Sequence, residues 1–170
     1  MLLVVGRDIK VPIKNLYRKA YQVGQDRLVG AYGAKILYGT PAIIIDFGTA
    51  TTFDVVSKKG EYLGGVIVPG LRLSIESLFE KTALLPKVKI QRPEGVIGKD
   101  TKNSILSGIS YGYGSLCDGM IELISKQIKQ KPVVIITGGY SALIKEFIKR
   151  FDYIDKSLVF KGMYFSYQKH

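Results

Sequence analysis

A carboxylate, a glycine and three threonines stand close together in Asp46-Phe47-Gly48-Thr49-Ala50-Thr51-Thr52. Such a group suits a phosphate or a cation: backbone N–H groups beside a glycine approach an anion closely, hydroxyls donate hydrogen bonds, and a carboxylate holds a cation. The same residues also suit a hairpin turn whose second strand is built from β-forming threonines. A second candidate is Gly24-Gln25-Asp26-Arg27. Asp26 there is either the N-cap of a helix or a general base with a cationic neighbour. Gly138-Gly139 is either a simple turn or bare backbone on which a flat nucleobase can lie. Tyr111 and Tyr113, beside Gly112 and Gly114, read as helix packing rather than as a stacking platform.

Other chemistries are excluded. The single cysteine, Cys117, has no intrachain partner, and the single histidine, His170, is the last residue. That removes disulfide scaffolds, zinc ribbons and Ser/His/Asp or Cys/His catalysis. Asp46-Phe47-Gly48 spells the magnesium-binding triplet of protein kinases, but a terminal histidine cannot supply their His-Arg-Asp loop. Gly98-Lys99-Asp100-Thr101 imitates the end of a P-loop, yet Asp100 separates lysine from hydroxyl and Pro93 takes the place of the upstream glycine.

The elements that must position these residues follow from periodicity and punctuation. A chain of 170 residues makes one domain or two small lobes, and 46% apolar with 23% charged residues is ordinary globular composition. A helix is expected over 26–38, stopped by Gly39-Thr40-Pro41, after a front segment with little strand character. Three strands follow over 42–46, 51–57 and 62–68; their short turns imply an antiparallel meander. Pro69-Gly70 opens an amphipathic helix with Leu71, Ile75, Leu78 and Phe79, ended by Leu85-Pro86. A glycine-interrupted helix is expected over 101–130, its glycines serving close packing or a kink, then a buried strand over 132–137 and a last helix over 141–150. The order implies an α/β layered domain with a mixed sheet.

The net charge of +11 calls for an anionic partner or a solvated basic face, and residues 1–40 carry seven basic against two acidic residues. No run of five basic residues and no aromatic-basic signature points to nucleic acid. No apolar run reaches the length of a membrane helix, so no membrane partner is expected.

Taken together, Val23-Gly24-Gln25-Asp26-Arg27, the 46–54 stretch through Phe53-Asp54, Tyr62-Leu63-Gly64-Gly65-Val66-Ile67-Val68-Pro69-Gly70, Ile97-Gly98-Lys99-Asp100-Thr101, Ser107-Gly108 with Tyr111-Gly112-Tyr113, and Thr137-Gly138-Gly139 resemble type III pantothenate kinase in order and spacing. The resemblance implies an actin-like ATPase fold of two ribonuclease-H-like domains with ATP between them. Residues 1–40 would be the remnant of the N-terminal domain and 41–170 the C-terminal one. It implies phosphorylation of pantothenate, the first step of coenzyme A synthesis, with magnesium and a monovalent cation, potassium or ammonium. Asp26 would be the base; Tyr17, Gly24, Gln25, Arg27 and Thr101 would meet the substrate. Asp46 would hold the monovalent cation, Gly48 and Thr49 the ATP phosphates, and Gly138 and Gly139 the adenosine side. The family is dimeric with the pocket at the subunit contact, and a cytoplasmic location is expected.

Two departures stand out. The Asp-x-Gly-Asn-Thr phosphate loop that opens the family does not occur here, so most of the first domain is expected to be missing, through fragmentation, a shortened gene product or supply by another polypeptide. Ala20 and Asp100 stand where the family favours proline and asparagine. A catalytically silent nucleotide-binding or dimerisation module of the same fold is the alternative.

Overall fold

In the computed structural model, which describes residues 2–170, a five-stranded sheet is ordered β3-β2-β1-β4-β5. β1 (Ala42–Phe47), β2 (Ala50–Val56) and β3 (Tyr62–Pro69) form the expected antiparallel meander. β4 (Val133–Thr137) joins the other edge of β1 in parallel, and the two-residue β5 (Tyr153–Ile154) follows it. The sheet is therefore mixed. β1 is central, which is why Ala42 to Ile45 form an unbroken buried run instead of an alternation.

Helices cover both faces. Ile43, Ile45, Phe47, Phe53 and Val55 pack against α2 (Leu71–Lys81) and α3 (Thr101–Ile128). Ala42, Ile44, Val56 and Ile135 pack against α1 (Gln25–Tyr38) and α5 (Leu158–Gln168). By the same alternation Asp46, Thr52, Asp54 and Thr137 lie on the α1 face. α1 returns through Gly39-Thr40-Pro41 into β1, so its first turn sits at the carboxyl end of that strand.

Three expectations need correction. Asp26 does not cap α1: Gly24 occupies the N-cap and makes no side-chain bond, and Asp26 is in the first turn. The last expected helix stops early, with α4 covering Ser141–Ile144 and a 3-10 turn Lys145–Phe147. The Asp118 carboxylate accepts the backbone N–H groups of Lys149 and Arg150 at 3.0 and 3.1 Å, and this bonding holds the chain extended toward β5. Of the α3 glycines, Gly114 abuts Phe147, whereas Gly108, Gly112 and Gly119 face open space.

α5 was not anticipated. Gly33 and Gly162 let it lie directly on α1: a Cβ on Gly162 would come 2.2 Å from the Val29 carbonyl oxygen. Tyr38 Oη and Lys161 Nζ both donate to the Asp155 carboxylate, at 2.9 and 2.8 Å, and tie the far ends of the two helices together. Residues ahead of α1 are anchored too, because Leu16 and Tyr62 exchange backbone bonds with Tyr62 and Lys14 along the edge of β3.

Candidate active site

The parallel pair β1 and β4 ends with Asp46 opposite Thr137, and both strands then turn through glycine. Open α/β sheets bind ligands outside the carboxyl ends of such strands. Gly138 has φ +91°, and a Cβ there would sit 2.4 Å from Asp46 Oδ1 and 2.6 Å from the Phe47 nitrogen. Only glycine lets the second turn close onto the first. The two turns are stitched by Tyr140 N–H to the Phe47 carbonyl at 3.4 Å. Gly48 and Thr49 open onto a cleft of about 340 Å³ shared with Arg72, Leu73, Glu76 and Tyr140. Arg72 and Tyr140 were not among the sequence candidates; Arg72 comes from the start of α2 and brings a cation beside the threonine turn.

Asp46 is a half-buried carboxylate. Burial raises its pKa above the ordinary carboxylate value, and the nearby charges of Asp26 and Asp54 raise it further. Among the described residues no cationic side chain lies within ion-pair distance of it. The exposed Asp26, in the first turn of α1, is favoured by the partial positive charge of the helix N-terminus.

Arg27, the next residue, is turned the other way. Its Nε and Nη2 lie 2.8 and 2.7 Å from Asp54 Oδ1, and both side chains are nearly sequestered, 10% and 4% exposed. Tyr62 Oη donates to the same oxygen at 2.7 Å, and Thr52 Oγ1 donates to Asp54 Oδ2 at 3.1 Å. Burial pushes Asp54 upward in pKa while Arg27, Tyr62 and Thr52 pull against it; the guanidinium stays charged throughout. The Nη2 contact is a charge contact without hydrogen-bond alignment, which leaves a buried N–H unpaired. Tyr17 lies against Gly64, and Gln25 lies against Gly6.

Gly24, Gln25, Asp26, Asp46, Gly48, Thr49, Gly138 and Gly139 thus gather at the carboxyl end of β1, whereas Arg27 reaches Asp54 at mid-sheet and Tyr17 lies against Gly64, level with Ile43 at the amino end of β1. Thr101 does not join them within one chain. It begins α3, which packs on the sheet face opposite α1, and its neighbour Asp100 is the N-cap, accepting the Asn103 N–H at 2.7 Å.

The donor set suits a cation that takes most of its ligands from substrate or water. One unpaired carboxylate stands between two glycine turns, and among the described residues no three acidic, histidine or cysteine side chains converge as a metal site. Burial pushes the Cys117 thiol up to about 12, so it is no nucleophile at neutral pH.

The sequence model of type III pantothenate kinase matches residues 1–123. A type III pantothenate kinase of Sulfurihydrogenibium is 47% identical over 163 residues, 96% of this chain and 65% of that protein. One from Persephonella marina is 47% identical over 168 residues, 99% of this chain and 66% of that protein. The chain therefore spans just under two thirds of the length of these relatives. In structure it is similar to a protein described as a Baf family transcriptional activator from Campylobacter jejuni, with TM-score 0.59 and 20% identity over 94% of this chain and 69% of that one. That likeness carries the fold alone, an α/β chain built on a mixed sheet. With the family match covering residues 1–123 and the identity running from end to end, this chain belongs to the type III pantothenate kinase family.

Proposed function

We propose that the protein acts in the ATP-dependent phosphorylation of pantothenate to 4′-phosphopantothenate, the first step of coenzyme A synthesis. The observation that carries this reading is the meeting of Asp26 and Asp46 with two glycine turns at the carboxyl ends of β1 and β4. Asp26 takes the proton from the substrate hydroxyl while that oxygen bonds to the γ-phosphorus and the bond to the ADP oxygen breaks. Gly48 and Thr49 hold the phosphates, and Gly138 and Gly139 leave room for the adenosine. Tyr17, Gly24, Gln25 and Arg27 shape the pantothenate pocket. Magnesium arriving with the nucleotide supplies charge neutralisation, and Asp46 holds potassium or ammonium. Because Thr101 starts on the other sheet face, its contact with substrate calls for a second copy of the chain, hence a homodimer. Residues 1–40 would then belong to a first domain and 41–170 to a second, in a cytoplasmic enzyme; among the described residues no helix is long and apolar enough to cross a membrane.

The direct test is formation of phosphopantothenate from ATP and pantothenate, followed by mass spectrometry. A second reading is a catalytically silent nucleotide-binding module of the same fold. Nucleotide binding without product supports that one, and failure to bind ATP or pantothenate overturns both.

Thr49→Val is expected to weaken ATP binding about tenfold or more, the consequence of losing a hydrogen bond to a charged group. Calorimetry giving equal affinities would remove Thr49 from the phosphate site.

Asp46→Asn should stabilise the fold. Because its folded pKa is raised, Asp46 contributes stability below its unfolded value, near 3.9, and loses it as pH rises through the folded value. At pH 7 without potassium, the asparagine variant should melt higher than the wild type. The gap should close below pH 4. Potassium should raise the melting temperature of the wild type alone; an equal response in the variant would end the cation assignment.

A further inference from the structure

A second large cavity plays no part in the site above. It is a groove of about 740 Å³ between the last turns of α3, the start of β4 and the strap at 149–152. α3 is 28 residues long and rises about 40 Å, so the groove lies roughly that far from Thr101. It also flanks the amino end of β4, whereas the candidate active site follows the carboxyl end.

Five cations line it: Lys126, Lys129, Lys131, Lys149 and Arg150. Only two carboxylates answer them. Glu122 is shared between Lys126 at 2.7 Å and Arg150 at 3.2 Å, and Asp152 accepts the Val134 N–H at 2.8 Å. Among the described residues, Lys129, Lys131 and Lys149 have no carboxylate within ion-pair distance. Lysines near a helix C-terminus are favoured by its dipole, which accounts for Lys126 and Lys129. It does not account for Lys131, Lys149 or Arg150, which come from other segments. The strap is fixed by the Asp118 bonds to the backbone of Lys149 and Arg150, so these side chains are presented from a built loop.

Lys129 adds a second signal. It ends α3 at φ 54° and ψ 37°, the left-handed conformation usually given to glycine or asparagine. A lysine kept at such a position carries backbone strain. Its charge is delivered to the groove from there. The floor is apolar, with Ile121 and Val134 buried beneath and Phe151 half-buried beside them. A cavity of this size matches a nucleotide-sized molecule, as small-ligand sites span roughly 300–1,000 Å³.

We propose that this groove is a second ligand site, taking a small organic phosphate with a flat apolar body. The phosphates engage Lys129, Lys131 and Lys149, and the body lies over Phe151 and Ile121.

The test uses the isotope-labelled chain as it stands, with backbone amide shifts followed during titration with ADP in the absence of magnesium. Inorganic phosphate and adenosine, titrated separately, isolate the charge from the flat body. Saturable shifts are expected in residues 121–131 and 149–152, with Kd at or below about 1 mM for ADP and about tenfold or more weaker for either part alone. Lys129→Glu with Lys149→Glu should weaken groove binding by about tenfold or more, while Lys10→Glu with Lys169→Glu leaves it unchanged. ADP shifts confined to Gly48, Thr49, Gly138 and Gly139 would overturn the proposal and leave the kinase reading standing. Equal binding of inorganic phosphate and ADP, or equal loss in the control variant, would reduce the groove to a diffuse basic surface and overturn it as well.

Discussion

Replacing Asp26 by asparagine is expected to lower kcat by about 10²- to 10⁴-fold while ATP affinity changes little. The side chain is exposed and lies outside the Arg27 network, so its loss should leave the fold standing. The charge it gives to the first turn of α1 is worth about 0.3–1 kcal/mol, and relief of repulsion with Asp46 offsets part of that. What disappears is the acceptor for the hydroxyl proton. A carboxylate is a weak base toward an alcohol, but the alcohol oxygen grows far more acidic as it bonds to phosphorus, so the transfer becomes favourable late in the reaction. The measurement is steady-state turnover in a chain that phosphorylates pantothenate, this one or one that also carries the family's opening phosphate loop. Near-normal turnover by Asp26→Asn would end the assignment of the base.

Asp54→Asn should act on stability instead, by about 3–5 kcal/mol, because it strands the Arg27 guanidinium in a site that is 10% exposed. For a chain of this length that is a fall of roughly 10 °C in melting temperature. Arg27→Met in the same chain should recover much of the loss, since removing both partners leaves no uncompensated buried charge. A single-variant loss below about 1 kcal/mol, or a double variant no better than the single, would show that the pair does not hold α1 to β2.

The parts legible in the sequence are those set by local rules. β1 to β3 were marked by β-branched runs and short glycine turns, α2 and α3 by apolar spacing, and the threonine turn by its own composition. The misses have different causes. α5 carries large apolar residues on its exposed side as well, including Phe160, Tyr164 and Tyr167, and Gly162 at its centre reads as a breaker. Only the close approach to α1 reveals why that glycine is there. α4 was overextended because its shortening depends on Asp118, far along the chain. The Arg27–Asp54 pair spans 27 residues, and no periodicity announces it. Arg72 looked like an ordinary helix residue until the fold set it beside Thr49.

The packing of α1 on α5 has a bearing on how the protein is made. The meander of β1 to β3 closes through neighbouring residues and can form early, as local contacts do. α1, which carries Asp26 and Arg27, is flanked by a helix synthesised more than a hundred residues later; Tyr38 and Asp155 alone are 117 positions apart. A nascent chain that has emerged only as far as β4 therefore displays the α5-facing side of α1 uncovered. Emergence of α5, rather than formation of the sheet, is the moment at which the helix bearing the proposed base comes to rest.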